Sequence, residues 1–160
     1  MEDRIGPDMC VACGDGLLNI RVGAIIVRDG RVLTVRSKNG YCYSVGGRIK
    51  FGETAEQAIV REVEEETGRR LSIDRLGFVN EVYFINDSPQ MYGKPVYELA
   101  FYFYMNAPED FEPKTDHIGD GEERFVWIAP DSPETVYPDF LRTAITAPQA
   151  GVIHIVRDDR

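Results

Sequence analysis

Four glutamates, Glu62, Glu64, Glu65 and Glu66, stand within five residues of one another just ahead of Gly68. The stretch reads as the C-terminal end of a helix, which is the unfavourable end for negative charge. Carboxylates there face the negative pole of the helix macrodipole, and like charges at i and i+4 repel, each effect costing about 0.3–1 kcal/mol. Such a cluster requires compensation. On a helical wheel Ala55, Ala58, Ile59 and Val63 fall on one side and define an apolar stripe. Glu62, Glu65 and Glu66 continue that stripe, while Glu64 falls on the opposite side and points away. A merely solvated acidic face would look like Glu64. Two full charges about 6 Å apart repel by roughly 3 kcal/mol at an effective dielectric of about 20, so three converging carboxylates must raise their pKa values or recruit cations. Hard oxygen ligands at close quarters suit Mg²⁺ or Mn²⁺.

The element that must carry these acids is well marked. Thr54 and Gln57 have capping-box spacing, Ala55 to Glu66 are mostly good helix formers, and Gly68 stands where a left-handed C-terminal cap belongs. The helix is therefore expected over 55–67. Ahead of it runs Gly46-Gly47-Arg48-Ile49-Lys50-Phe51-Gly52-Glu53. Adjacent glycines let the backbone approach a ligand closely, and Gly52 relieves the turn into the helix.

Loop and helix together give Gly47, five residues, Glu53, seven residues, then Arg61-Glu62-Val63-x-Glu65-Glu66-x-Gly68. This resembles the Nudix box, G-x5-E-x7-R-E-U-x-E-E-x-G-U with U aliphatic, and identifies the chain as similar to the MutT-like Nudix hydrolases. Every fixed polar and glycine position matches. Arg69 departs from the expected final aliphatic, which bears on packing at the helix exit more than on chemistry, and Val45 stands where the family often carries proline.

The resemblance implies roles. Glu62, Glu65 and Glu66 fall on the metal-binding glutamates, and Glu65 is also carried as catalytic. Glu53 falls on the glutamate that orients the helix, often through Arg61, and that sometimes assists the base or metal. An extra acid often comes from the loop before a strand carrying a tryptophan, here Trp127, which makes Glu122 and Glu123 candidates for the proton acceptor. The fold it implies is the Nudix α/β (α+β) fold, an α/β/α sandwich around a mixed sheet.

The net charge of −9 repels a nucleotide polyphosphate and argues against a nucleic-acid partner, so phosphate binding needs local cations. Arg21, Arg36, Lys38, Arg48 and Lys50 lie near the loop in sequence, and Gly46 and Gly47 offer backbone at close range. No run approaches the roughly 18 apolar residues of a membrane span and no leader resembles a signal peptide, so no membrane partner and a cytoplasmic location are expected. Length suits one domain over 1–160, with 1–18 an extension or edge segment and the box at 47–69. Cys10 and Cys13 form C-x2-C, half of a zinc ribbon, with only Cys42 remaining; reduced, unliganded thiols are the expectation. His117 and His154 stand alone, without a nucleophile's context.

Strands are expected at 22–27 and 31–35, joined by an Asp29-Gly30 hairpin turn, and at 41–44, 76–84, 96–105, 124–128 and 152–156, with a second helix at 137–146. Tyr83, Phe84, Tyr97 and Phe101 could stack on a base, though alternation makes about half of them core, and Glu98 is a lone carboxylate amid apolar residues that could reach the site. The reading is a Mg²⁺- or Mn²⁺-dependent hydrolase of a nucleoside diphosphate linked to another group: a nucleoside triphosphate, a nucleotide sugar or ADP-ribose. Dimers are common in the resembled family, so a homodimer is admitted. The alternative is a nucleotide-binding regulatory Nudix domain without hydrolysis, for which a damaged box would be the signature. Isomerase chemistry on an isoprenoid diphosphate would call for a catalytic cysteine and glutamate, with Cys42 the only support.

Overall fold

Apolar residues alternate along Gly16–Ile25, the second strand of the chain, and both faces of it are used. Val22 and Ala24 pack with Ala58, Ile59 and Val63 of the helix α1 (Ala55–Thr67), whereas Ile25 packs with Phe140, Leu141 and Ala144 around the short helix α2 (Leu141–Ala144). A strand buried on both sides needs a layer on each, and that periodicity places a helix above and below the strands. The computed structural model describes residues 5–89, 91–114, 123–146 and 150–160.

The strands are β1 (Cys10–Cys13), β2 (Gly16–Ile25), β3 (Val27–Arg28), β4 (Arg31–Arg36), β5 (Cys42–Ser44), β6 (Gly46–Arg48), β7 (Ser72–Ile85), β8 (Pro95–Asn106), β9 (Arg124–Ile128), β10 (Val136–Tyr137) and β11 (Ile153–Asp158). One sheet runs β1-β2-β8-β7-β11, with β6 also on β2; the other runs β10-β5-β4-β3, with β9 on β4. Pairing is mixed: β2 with β8 and β11 with β7 are parallel, while β7 with β8 and β4 with β9 are antiparallel. Asp29 and Gly30 both adopt positive φ, 50° and 70°, as the two-residue turn between β3 and β4 requires.

The box helix occupies the expected residues. Thr54 Oγ1 accepts from the Gln57 N–H at 3.2 Å, Gln57 Oε1 accepts from the Thr54 N–H at 2.8 Å, and Gly68 closes the helix at φ 68°. At the exit Arg69 turns outward beside Asp110, and the anchoring falls to its neighbours. Thr67 is fully buried, its hydroxyl donating to the Val63 carbonyl at 2.6 Å, and Leu71 is buried in the core.

Two expectations need correction. The segment foreseen as one helix over 137–146 is split: Val136–Tyr137 pairs with Cys42–Tyr43 as β10, and only Leu141–Ala144 is helical. Pro138 lacks the N–H that would continue either element. The glycine stretch is not simply a loop, since Gly46–Arg48 forms a short strand on Arg21–Gly23. The extension before residue 18 holds edge strand β1 and the start of β2, and within β1 Cys10 and Cys13 are three residues apart, which puts their side chains on opposite faces.

Candidate active site

Strand β6 and helix α1 meet face to face because glycine removes the side chains between them. A Cβ on Gly46 would lie 2.2 Å from the Val22 carbonyl oxygen, and Gly46 adopts φ 149°, so β6 could not seat on β2 with another residue there. A Cβ on Gly47 would instead meet the Glu62 carboxylate at 2.4–2.5 Å. The bare backbone at Gly47 is therefore the floor against which Glu62 rests. One turn further along, the Gly46 N–H donates to Glu66 Oε2 at 3.3 Å.

Arg61 supplies much of the compensation that the acid cluster demands. Its guanidinium donates to both Glu53 oxygens, to Glu62 Oε1 at 2.7 Å, to Glu65 Oε2 at 3.2 Å and to the Arg48 carbonyl at 3.1 Å. The Glu53 carboxylate, whose side chain is 4% exposed, also accepts from the Lys50 N–H at 2.8 Å. Arg61 holds Glu53 below the usual carboxylate range, and Glu53 in turn raises Arg61 further. This pair ties the loop to the helix and fixes where the later glutamates project.

Glu66 differs from its neighbours. Burial pushes its carboxyl up to about 8, with Glu62 and Glu123 adding to the rise and the Gly46 N–H and Arg21 opposing it. Glu123, just ahead of β9, is thus within electrostatic reach of Glu66. Burial, with the field of the Glu123 carboxylate adding to it, raises the Tyr43 hydroxyl far above its ordinary value.

The chemistry of this donor set fits a hard divalent cation. Glu62 and Glu66 face inward on one helix flank, and a carboxyl held near 8 is one that a cation would return to its charged form. Among the described residues, no three His, Cys, Asp or Glu side chains converge as a ready-made cage. The reason is Arg61, which draws Glu62 and Glu65 toward its own guanidinium. Glu65 corrects the expectation of three converging carboxylates: its side chain is 54% exposed, against 13% for Glu62, because its phase lies at the margin of the stripe. Glu64 projects outward to Arg70 at 2.7 Å.

The model of the NUDIX domain matches residues 17–146. This chain belongs to the NUDIX domain family. Among curated proteins it is similar to an ADP-ribose pyrophosphatase of Methanocaldococcus jannaschii, 42% identical over 53 residues covering 31% of each chain. It is also similar to a MutT-like protein of Streptomyces ambofaciens, 42% identical over 62 residues, 38% of this chain and 40% of that one. The chain thus spans less than half the length of these curated relatives. Among solved structures, the MutT NUDIX hydrolase of Burkholderia pseudomallei superposes with a TM-score of 0.57 at 25% identity, covering 82% of this chain and 98% of that one. The fold is the Nudix α/β/α arrangement.

Not every residue singled out by the Nudix reading reaches the glutamates. Arg21 does, through its field on Glu66. Arg48 points along β2, bonding Asn19 at 3.1 Å and lying 3.6 Å from Asp8, while its backbone carbonyl serves Arg61. Lys50 contributes its backbone to Glu53. Arg36 is committed to Glu134 on the second sheet, which corrects its expected place beside the loop, and Lys38 is exposed in the turn after β4. Glu98 accepts from Asn19 at 2.8 Å and so joins the Arg48 network. Tyr97 and His154 both bond Glu81, Tyr83 packs on Tyr97 at 4.8 Å beneath Arg160, and Phe101 packs against the core under α1. Glu122 and His117 lie outside the described residues. Sequence reasoning missed Tyr43 and Asn19. The alternation of Tyr41, Tyr43 and Val45 into the loop was the available signal for the first, and an asparagine inside the apolar run Leu17–Val22 for the second.

Proposed function

We propose that the chain hydrolyses a pyrophosphate bond in a nucleoside diphosphate derivative, with Mg²⁺ or Mn²⁺ bound by Glu62, Glu65 and Glu66. The observation that carries this reading is the meeting of Glu62 and Glu66 with the Gly46–Gly47 backbone, two carboxylates on one helix flank of which the second is held near 8. When bound, the divalent ion supplies Lewis-acid stabilisation of phosphate charge and lowers the pKa of water.

The chain's own groups do the rest. Arg21 offers positive charge beside Glu66 to a diphosphate whose charge the net −9 of the protein would otherwise repel. Glu53 and Arg61 hold the helix so that the inward carboxylates keep their aim. Glu123 accepts the proton of the water that attacks phosphorus, since charge developing on that water needs a base within hydrogen-bond reach. The bond between phosphorus and the bridging oxygen breaks, and two phosphorylated products leave.

The similarity to an ADP-ribose pyrophosphatase and to a MutT-like protein supports this class of substrate. The intact box favours hydrolysis over a regulatory nucleotide-binding role. The test is a panel of nucleoside triphosphates, nucleotide sugars and ADP-ribose with Mn²⁺, products identified by mass. Cleavage of one class into two phosphorylated products is expected. Binding of nucleotide without any product contradicts the proposal in favour of the regulatory alternative.

A further inference from the structure

Asn19 stands inside β2 with both ends of its amide engaged. It is 6% exposed, its Nδ2 donates to Glu98 Oε2 at 2.8 Å across the β2–β8 pair, and its Oδ1 accepts from Arg48 Nε at 3.1 Å. Arg48, 3.6 Å from Asp8, belongs to the box itself: its carbonyl accepts from the Arg61 guanidinium at 3.1 Å, and the residue before it, Gly47, is the floor under Glu62. One chain of contacts therefore runs from the glutamates of α1 through Arg61 and Arg48 to Asn19 and Glu98. Among the described strands β6 pairs only with β2, so its other edge is open to a ligand lying across it, with Glu62 on one face and the Arg48 side chain on the other. Asn19 is three residues along β2 from Val22, the partner of Gly47, and Glu98 is one strand further. The backbone of Glu98 thus lies on the order of 10–15 Å from the floor under Glu62, a separation that a diphosphate and the sugar joined to it can span.

The carboxylate at the end of this chain is only half used. Oε2 takes the Asn19 amide, while Oε1 has no hydrogen bond among the described residues, and Glu98 is half-buried rather than sealed. Its immediate neighbours on that face are Asn19 and Val82 across the strands and Val96 and Ala100 along its own, so no ring stands next to it for a base to stack on. An acceptor fixed at one oxygen and free at the other suits hydroxyl donors. We propose that Glu98 is the specificity-determining residue of this site: its free oxygen accepts hydrogen bonds from the hydroxyls of a sugar joined to the diphosphate, either the nucleoside's own ribose or a second sugar beyond it. Asn19 fixes the carboxylate and Arg48 ties Asn19 to the box, so the phosphate end and the sugar end share one frame. The inference rests on the hydrolase reading above.

The test measures kcat/KM with Mn²⁺, in wild type and in Glu98→Gln, for the compound cleaved in the panel and for its analogues. One analogue lacks the ribose hydroxyls of the nucleoside; where a second sugar is present, another carries a plain alkyl group in its place. In wild type, removing the hydroxyls that Glu98 reads should lower kcat/KM about tenfold, as expected of a hydrogen bond to a charged group, and the analogue that suffers names the sugar. Gln keeps an acceptor for Asn19 but loses the charge, so in Glu98→Gln that analogue should be cleaved within about twofold of its parent. A purely structural carboxylate would instead lower the denaturation midpoint and slow all compounds alike. That result, equal kcat/KM for parent and analogues in wild type, or an undiminished difference in Glu98→Gln each overturns the role of Glu98 and leaves the hydrolase reading standing. Absence of turnover of every compound by the wild-type protein removes that reading, and this inference with it.

Discussion

Arg61 occupies the centre of the charge balance, and removing it tests how much of the site is electrostatic scaffolding. Its side chain is 16% exposed and its guanidinium serves Glu53, Glu62 and Glu65 at once. Arg61→Ala leaves Glu53 buried without its partner, so a loss of about 2–4 kcal/mol is expected, together with a lower rate. An unchanged midpoint in thermal denaturation would argue against the orienting role. The glutamates separate more sharply. Glu65→Gln should reduce turnover by at least about 10²-fold with little effect on folding, since its side chain is 54% exposed and its proposed role is to hold the divalent ion. Glu64→Gln, facing Arg70, should leave kcat within about twofold of wild type, because an exposed pair contributes about 0–1 kcal/mol. Steady-state kinetics on the two variants, side by side, decides whether the helical phase is right.

Strand β6 and helix α1 work as a pair, and their glycines have different duties. At Gly46 a side chain would strike the Val22 backbone, which cannot move aside, whereas at Gly47 it would strike only the end of the Glu62 side chain. Gly46→Ala should therefore lower stability, while Gly47→Ala should fold nearly as well as wild type but bind Mn²⁺ more weakly, with Glu62 displaced from its floor. Equal Mn²⁺ affinity in Gly47→Ala would show that Glu62 does not depend on that floor. Much of this pairing was legible in the chain: the capping box, Gly68 and the spacing from Gly47 to Gly68 locate the helix residue for residue. What spacing could not convey was long-range. Arg36 looked available for phosphate from its place before the loop, yet Glu134, about a hundred residues on, claims it. The second helix was misread because the apolar residues of 136–146 serve strand pairing at one end and packing over Phe78 and Tyr102 at the other. Glu123 was legible as a candidate through its place before the Trp127 strand; its electrostatic influence on Tyr43 was not, because that depends on β5 and β9 flanking β4.

The molecule as a whole carries an excess of acid, and its stability should respond to pH through Glu66. Its folded-state pKa lies at about 8 against an ordinary value of 4.5, so between those limits the folded protein binds the proton that the unfolded chain has lost. Stability conferred by the neutral carboxyl is therefore complete below about 4.5 and declines as pH rises toward 8. Glu53 works in the opposite sense and in another window: its lowered pKa contributes above its unfolded value and is lost as pH falls through the folded one. The metal-free protein should show a melting temperature that falls on the order of 5–10 °C from pH 5 to pH 8. Glu66→Gln should remove that slope, and a wild-type slope in this variant would contradict the assignment. Added divalent ion should reverse the decline, because it takes the place of the proton. The measurement that goes most directly to the central claim is calorimetric titration of the protein with Mn²⁺ at neutral pH, in two buffers of different ionisation enthalpy. Saturable uptake accompanied by release of about one proton is expected, with loss of that release in Glu66→Gln. No uptake of Mn²⁺, with or without nucleotide present, would contradict that claim.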